Sequence, residues 1–458
     1  MKNNISVSCF LRNIFPGLAI LLLAGTAQAA TITRIVLDSG GTIALYNASV
    51  AVGPDGNYHI VAQGADAADQ TNKATREIYY MRVSPTGTIL TPRTKVNTPD
   101  SVNDGRPKIA VTSANKAVIA WAGNNQALRA VLVNPALAPA SVIEVAETTI
   151  GVTTSRGHHG LAIDGSGKAH AIRATSSGLL HIRFNAATLV PDVVEHSITT
   201  GAYGNGDPGF AIDSNNRLHV VYQACDVNAQ CPAAYAMFDD AGAVRIAPTA
   251  LFERTGVFAH AAHISLMVES PTAVHVVYGD KRNTSTFGNW SDYKTGGTAF
   301  YVKLNPSLDD QNGNAASLAA IRVGTDKTVG NHWYGSAFLS GGTIHFVSGT
   351  DQSGTGDLLH RTINPGSGLV SGAAIATAQI GGYALKRQVR GVGSAVVWAE
   401  DVYSPTLTGV TTQLVMAKTA NLPRLSSGGG GGALGSGLLM VLGVAGLLRS
   451  RRRPGIAA

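Results

Sequence analysis

Seven times between residues 49 and 418 the sequence returns to the same triplet of short apolar runs separated by turn residues. The first run of each triplet is Val50–Val52 before Pro54-Asp55-Gly56, Ile109–Val111, Leu161–Ile163 before Asp164-Gly165, and Phe210–Ile212 before Asp213-Ser214-Asn215, followed by Ile264–Leu266, Ala337–Leu339 and Val389–Val392. The second is His59–Val61, Val118–Trp121, His170–Ile172, His219–Tyr222, His275–Tyr278, His345–Val347 and Ala395–Trp398. The third is residues 78–83, 128–133, 179–184, 234–238, 300–304, 358–363 and 414–418. A period of roughly 50 to 57 residues, stretched to about 72 by one insertion, suits a four-stranded blade and is too long for a solenoid coil. With 14% charged residues and 53 glycines, the chain has the composition of many short strands joined by tight turns.

Fourth strands follow in six units, Ile89–Val96 and Val142–Ala146 among them, but in the seventh the chain runs from Lys418 straight to Pro423. Thr31–Leu37 alternates as a strand with no blade of its own, so it is expected to complete the seventh unit and close the ring. The expected fold is all-β: a seven-bladed β-propeller closed by the N-terminal strand, with a C-terminal transmembrane sorting helix.

The two ends read differently from the body. In residues 1–29, Lys2 and Arg12 precede the apolar run Leu18–Ala24 and the small-x-small site Ala27-Gln28-Ala29, the pattern of a signal peptide, which places the mature start at Ala30. Residues 30–425 form the propeller. Residues 426–458 hold Gly428–Gly432, the apolar stretch Ala433–Leu448 and the cluster Arg449, Arg451, Arg452 and Arg453. That order of parts predicts a hinge, a bilayer segment of about 24 Å and arginines retained on the cytoplasmic side. The formal charge of +7 includes six cations in these two ends, which leaves the body near neutral and excludes nucleic acid as an expected partner. Cys225 and Cys231 close a short loop and, in an oxidising compartment, are expected to form a local disulfide ahead of two free thiols or a metal pair.

The tail closely resembles the GlyGly-CTERM sorting signal of exported proteins in Gram-negative bacteria. The resemblance implies cleavage by a rhomboid-type sorting protease, rhombosortase, after signal peptidase has removed the N-terminus. It covers roughly the last 30 residues and implies nothing about the body. The expected location is across the inner membrane, anchored there by the tail or released to the cell surface or medium after its cleavage. The repeats themselves resemble sialidase-like propellers in their rhythm of apolar strand, turn and His-Val-Val-aromatic. The Ser-x-Asp-x-Gly-x-x-Trp box of that family is absent from every turn, so no sialidase catalytic residue is carried over.

Residues just before first strands and just after second strands share one face of a propeller, around the mouth of its channel. The catalytic candidates there are His158, His159, His260, Asp280 and Arg390, since imidazole carries protons and carboxylates serve as acid or base. Arg106, His332 and Trp333 are binding candidates, as are Arg282, Trp290 and Tyr293 in the longest loop, a mixture suited to stacking on sugars and clamping acidic groups. The histidines His59, His170, His219, His275 and His345 occupy one equivalent strand position and read as packing residues. Asp310–Asn314 alternates oxygen ligands but lacks the Gly and Glu of a calcium loop, so neither a metal nor another cofactor is expected. The first functional expectation is a surface recognition or adhesion module for a glycan or envelope component. The alternative is a carbohydrate-active enzyme. A hydrolase would pair carboxylates among Asp280, Asp351, Glu400 and Asp401. A lyase would use a His or Tyr base with a positive clamp, from His158, His159, His260, Tyr334, Arg106 and Arg390.

Overall fold

The structure is a computed structural model. It describes residues 34–38, 41–66, 76–98, 105–123, 127–138, 141–152, 158–175, 178–199, 202–203, 207–225, 232–251, 261–280, 298–306, 322–330, 335–349, 357–368, 370, 374–377, 390–402 and 411–419. Seven antiparallel sheets form the blades of a β-propeller. The closing strand is β1 (Arg34–Asp38). Blade 1 runs β2 (Ile43–Val52), β3 (Tyr58–Asp66), β4 (Glu77–Val83), β5 (Ile89–Lys95), and blade 2 runs β6 (Gly105–Val111), β7 (Ala117–Ala122), β8 (Ala127–Val133), β9 (Ile143–Val152). Blade 3 is β10 (His159–Ile163), β11 (Lys168–Thr175), β12 (Gly178–Asn185), β13 (Pro191–Ser197). In blade 4 the inner strand is split into β14 (Ala202–Tyr203) and β15 (Gly209–Ile212), ahead of β16 (Leu218–Cys225), β17 (Ala233–Phe238) and β18 (Val244–Ala250). Blade 5 is β19 (Ala261–Ser270), β20 (Ala273–Asp280), β21 (Thr298–Leu304), β22 (Arg322–Gly330), and blade 6 is β23 (Gly335–Ser340), β24 (Thr343–Gly349), β25 (Asp357–Ile363), β26 (Ala374–Thr377). Blade 7 takes β27 (Arg390–Val392), β28 (Ala395–Val402) and β29 (Thr411–Lys418) from the C-terminal end. Its fourth strand is β1, paired antiparallel with β29 from Arg34↔Ala417 to Asp38↔Leu414.

The apolar alternation of each strand has two buried faces to serve, because a blade packs against a neighbour on either side. In β7, Ile119 and Trp121 join the cluster shared with blade 1, whereas Val118 and Ala120 join the one shared with blade 3. Further clusters lie between blades 3 and 4, 4 and 5, 5 and 6, and 7 and 1. The inner strands converge so closely that some positions admit no side chain. A Cβ on Gly160 would lie 2.6 Å from Phe210 of the next blade, and one on Gly391 would collide with the Phe338 ring.

The equivalent histidines are buried, and each is held through its Nδ1. Nδ1 bonds Tyr80, His181, Tyr235, Tyr301 or His360 on the adjoining third strand, for His59, His170, His219, His275 and His345 respectively. In blades 3, 4 and 5, Nε2 meets Asp164, Asp213 or Glu269, each six residues earlier, in the turn for the aspartates and at the end of β19 for Glu269. The same aspartates accept turn amides, Asp164 from Ser166 and Lys168, and Asp213 from Asn215 and Arg217. These turns lie on the face opposite the channel mouth.

The signal peptide, the sorting tail and Cys231 lie outside the described residues, and Cys225 ends β16. Among the described residues no helix is long and apolar enough to cross a membrane.

Candidate functional site

Four inner strands break register at the same height, next to the channel mouth. The extra residues fall between Tyr46 and Ser49, between Gly105 and Lys108, between Tyr203 and Gly209, and between Ala262 and Ser265. A bulge of this kind re-aims the side chains it carries. In blades 1 and 2 it holds Asn47 and Arg106 at φ 51° and 55°, the left-handed region, which an arginine seldom adopts without a structural demand.

The bulges of blades 2 and 4 and the lead-in to β10 bring four charged or titratable groups together. His158 Nδ1 lies 3.0 Å from Asp207 Oδ1, and Lys108 Nζ donates to Asp207 Oδ2 at 2.7 Å. The Arg106 guanidinium meets the His158 imidazole and lies 3.9 Å from Asp207 Oδ1. His158 is buried, the Asp207 and Lys108 side chains are 14% and 15% exposed, and Arg106 reaches furthest into solvent at 37%. Beneath them opens a cavity of about 180 Å³ in the channel, walled by Lys108, Asp207, Leu161, Phe210, Ile264 and Leu266.

Charge in this setting is strongly tuned. Burial pushes the Asp207 carboxyl up, but Lys108, the His158 hydrogen bond and Arg106 together outweigh it and hold the group well below the usual carboxylate range. Burial pushes His158 below the usual imidazole range; Asp207 opposes the shift, and Arg106 and Lys108 reinforce it. At neutral pH the cluster is therefore two cations, one carboxylate and a neutral imidazole. If Nδ1–H donates to Asp207, the Nε2 lone pair is left beside the Arg106 guanidinium. Such a site can accept an anion at Arg106 and can take a proton at His158.

Of the expected site residues, Arg106 and His158 come together as described, and Asp207 joins them. His159 is fully buried and donates Nε2–H to the Ala120 carbonyl at 3.2 Å, so its ring is fixed between blades 2 and 3. Asp280 ends β20 and Arg390 begins β27, both on the channel face. His260, Arg282, Trp290, Tyr293, His332 and Trp333 lie outside the described residues. Lys108 was not singled out from the sequence, although Arg106-Pro107-Lys108 places two cations two residues apart at the start of a first strand. Among the described residues no group of acidic, histidine or cysteine side chains could hold a metal ion.

The fold and this site define a β-propeller with a partly buried cluster of Arg106, Lys108, His158 and Asp207 at its channel mouth. The sequence matches no family model and no curated protein. Solved structures with the same architecture include a polysaccharide lyase of family PL25, an ulvan lyase bound to -[GlcA(1-4)Rha3S]-. It has a TM-score of 0.52 and 10% identity over 84% of this chain and 96% of that one. The polysaccharide lyase Uly1 is similar at a TM-score of 0.51 and 10% identity, covering 81% of this chain and 89% of that one. At such identity the likeness is one of fold.

Proposed function

We propose that the protein is an exported propeller that recognises an acidic glycan at its channel mouth. The observation that carries this reading is the gathering of Arg106, Lys108 and His158 around one carboxylate over a cavity of mixed polar and apolar walls, a net positive seat for a uronate or sulfate group. The polysaccharide lyases of similar fold agree with a glycan ligand. The test compares binding of the full chain in detergent to a uronate polysaccharide and to its carboxyl-reduced form. Tighter binding to the acidic form is expected, with Arg106→Ala weakening it about tenfold, roughly 1.4 kcal/mol. Equal binding of the two forms would remove the reading.

A second, enzymatic reading is favoured by the neutral state of His158. With a uronate held on Arg106, His158 Nε2 could take the proton α to the carboxylate. The electron pair would then form a C4=C5 double bond as the glycosidic C4–O bond breaks, and the leaving oxygen would gain a proton. Absorbance of an unsaturated uronate product, abolished in His158→Ala, would establish elimination in place of recognition.

Processing belongs to the same proposal. The mature chain begins at Ala30, the tail resembling GlyGly-CTERM anchors it until a rhomboid-type protease acts, and Cys225 pairs with Cys231. Intact mass of the protein recovered from cells, before and after reduction, tests all three.

A further inference from the structure

The large apolar side chains most exposed among the described residues are Ile89, Leu90, Leu137, Ile143, Val190 and Val244, with Val36 on the closing strand. Single exposed aliphatics are ordinary on a protein surface, but those other than Val36 share one structural position. Ile89 pairs with Val83 at the last rung of blade 1, Ile143 with Val133 in blade 2, and Val244 with Phe238 in blade 4. Val190 immediately precedes β13, whose Pro191 pairs with Phe184. Each therefore stands where an outermost strand leaves its hairpin turn, or in that turn, and together they trace an aliphatic belt along the outer rim of blades 1 to 4. Val36, opposite Val415 in blade 7, stands further along its strand and is not part of the belt.

The belt lies on the turn face, opposite the channel mouth. That is also the face on which the propeller ends: the Thr419 amide donates to Ser394 O in the turn between β27 and β28. Only the thirteen residues 420–432 separate this point from the apolar stretch Ala433–Leu448. Fully extended, they reach at most about 45 Å. To turn the channel mouth toward a bilayer they would have to climb a seven-residue outer strand, using roughly 23 Å of that reach before crossing the rim. Lying turn face down needs none of it. The charges beside the belt are matched, Lys116 with Glu144, Arg183 with Asp192 and Arg245 with Asp239, so apolar contact and the short tether, in place of charge attraction, favour this surface meeting lipid.

We infer that the aliphatic rim of the turn face rests on the bilayer that holds the C-terminal segment, so that the tether presents the Arg106–His158–Asp207 site away from the membrane. This rests on the reading of residues 433–448 as a bilayer segment. The test uses the full chain in phosphatidylethanolamine and phosphatidylglycerol vesicles containing a lipid spin-labelled near the headgroup. A thiol-reactive fluorophore is placed by Ile89→Cys or Thr98→Cys, with the parent chain as blank; position 89 begins the outer strand β5 at the turn face and position 98 follows its other end. We expect at least twofold stronger quenching at 89 than at 98, unchanged at high salt. We also expect Ile143→Asn/Val190→Asn/Val244→Asn, labelled through Leu90→Cys, to float with vesicles as well as its parent while losing at least half its quenching. Equal quenching at 89 and 98, or stronger quenching at 98, would overturn the orientation. Excimer emission between pyrene labels at position 89, without lipid quenching, would assign the belt to a second copy of the chain and overturn it too. A chain that fails to float at all would refute the bilayer segment itself, and with it this docking.

Discussion

Asp207 serves two neighbours at once, accepting from Lys108 with one oxygen and holding His158 with the other. Asp207→Asn removes the charge but keeps the shape, which leaves the cluster with two cations and without its carboxylate. Stability should fall by about 2–3 kcal/mol, below the range for a fully buried pair because these side chains keep some solvent contact. The His158 imidazole should titrate still lower, since Asp207 is what raises it, and its ring signals in a pH series would report the change. Recognition and elimination then part company: the variant should bind acidic glycan at least as tightly, but any turnover that depends on an oriented His158 should drop. Much of this rim was legible in the sequence, because Arg106 and His158 stand at the starts of first strands. What escaped was depth. His158 and His159 are adjacent in sequence, yet only the structure separates a ring at the mouth from one fixed to the Ala120 carbonyl, and Lys108 reaches the site only because a bulge resets the alternation behind Arg106.

Within a blade, the recurring unit joins turn, second strand and third strand through one imidazole. Desolvation lowers His59, His170, His219 and His275, the first to about 4, and lowers His181, the partner of His170, to about 3. His59 feels Arg82 lowering it and Asn115 and Asp55 raising it, and His181 is lowered further by His170, Arg183 and His196, with Asp192 opposing. In the unfolded chain these imidazoles take up protons below about pH 6.5, but in the folded blade they remain neutral until far lower pH. The unfolded state then binds more protons, so stability is full above about 6.5 and falls as pH drops toward 4 and 3, at up to about 1.4 kcal/mol per pH unit for each such group. Thermal midpoints measured between pH 7.5 and 4.5 should decline steadily, and His59→Phe should make the decline shallower. A flat profile would contradict the burial of these rings. The sequence marked the five histidines as equivalent, but their partners were hidden in part. The acid six residues earlier is visible at Asp164, Asp213 and Glu269, whereas in blade 1 the same place is Gly53 and Asn115 of the next blade stands close by. A partner borrowed across an interface leaves no mark in the repeat to which it belongs.

For the molecule as a whole, the seven-fold repeat and the missing fourth strand of the seventh unit were sufficient to foresee ring closure, because a third strand without a fourth leaves an open edge that an orphan N-terminal strand can fill. The pairing of β1 with β29 makes that closure a long-range contact between the two ends of the body. Leu37 anchors it, buried at 3% exposure in the cluster that joins blades 7 and 1 with Leu45, Met81, Val397 and Met416. Leu37→Ala should therefore destabilise the propeller by about 2–4 kcal/mol through lost burial and the cavity left behind. Because the deletion acts at the seam, its effect should be uneven. Amides of β29 should exchange faster than in the parent chain, while those of β11 and β16, on the far side of the ring, should keep protection close to that of the parent. Hydrogen exchange read by mass spectrometry distinguishes this from a uniform loss. Uniform acceleration in every blade would mean that the ring opens only by unfolding altogether, and that closure by β1 is part of one cooperative unit instead of a latch on a body that otherwise holds itself.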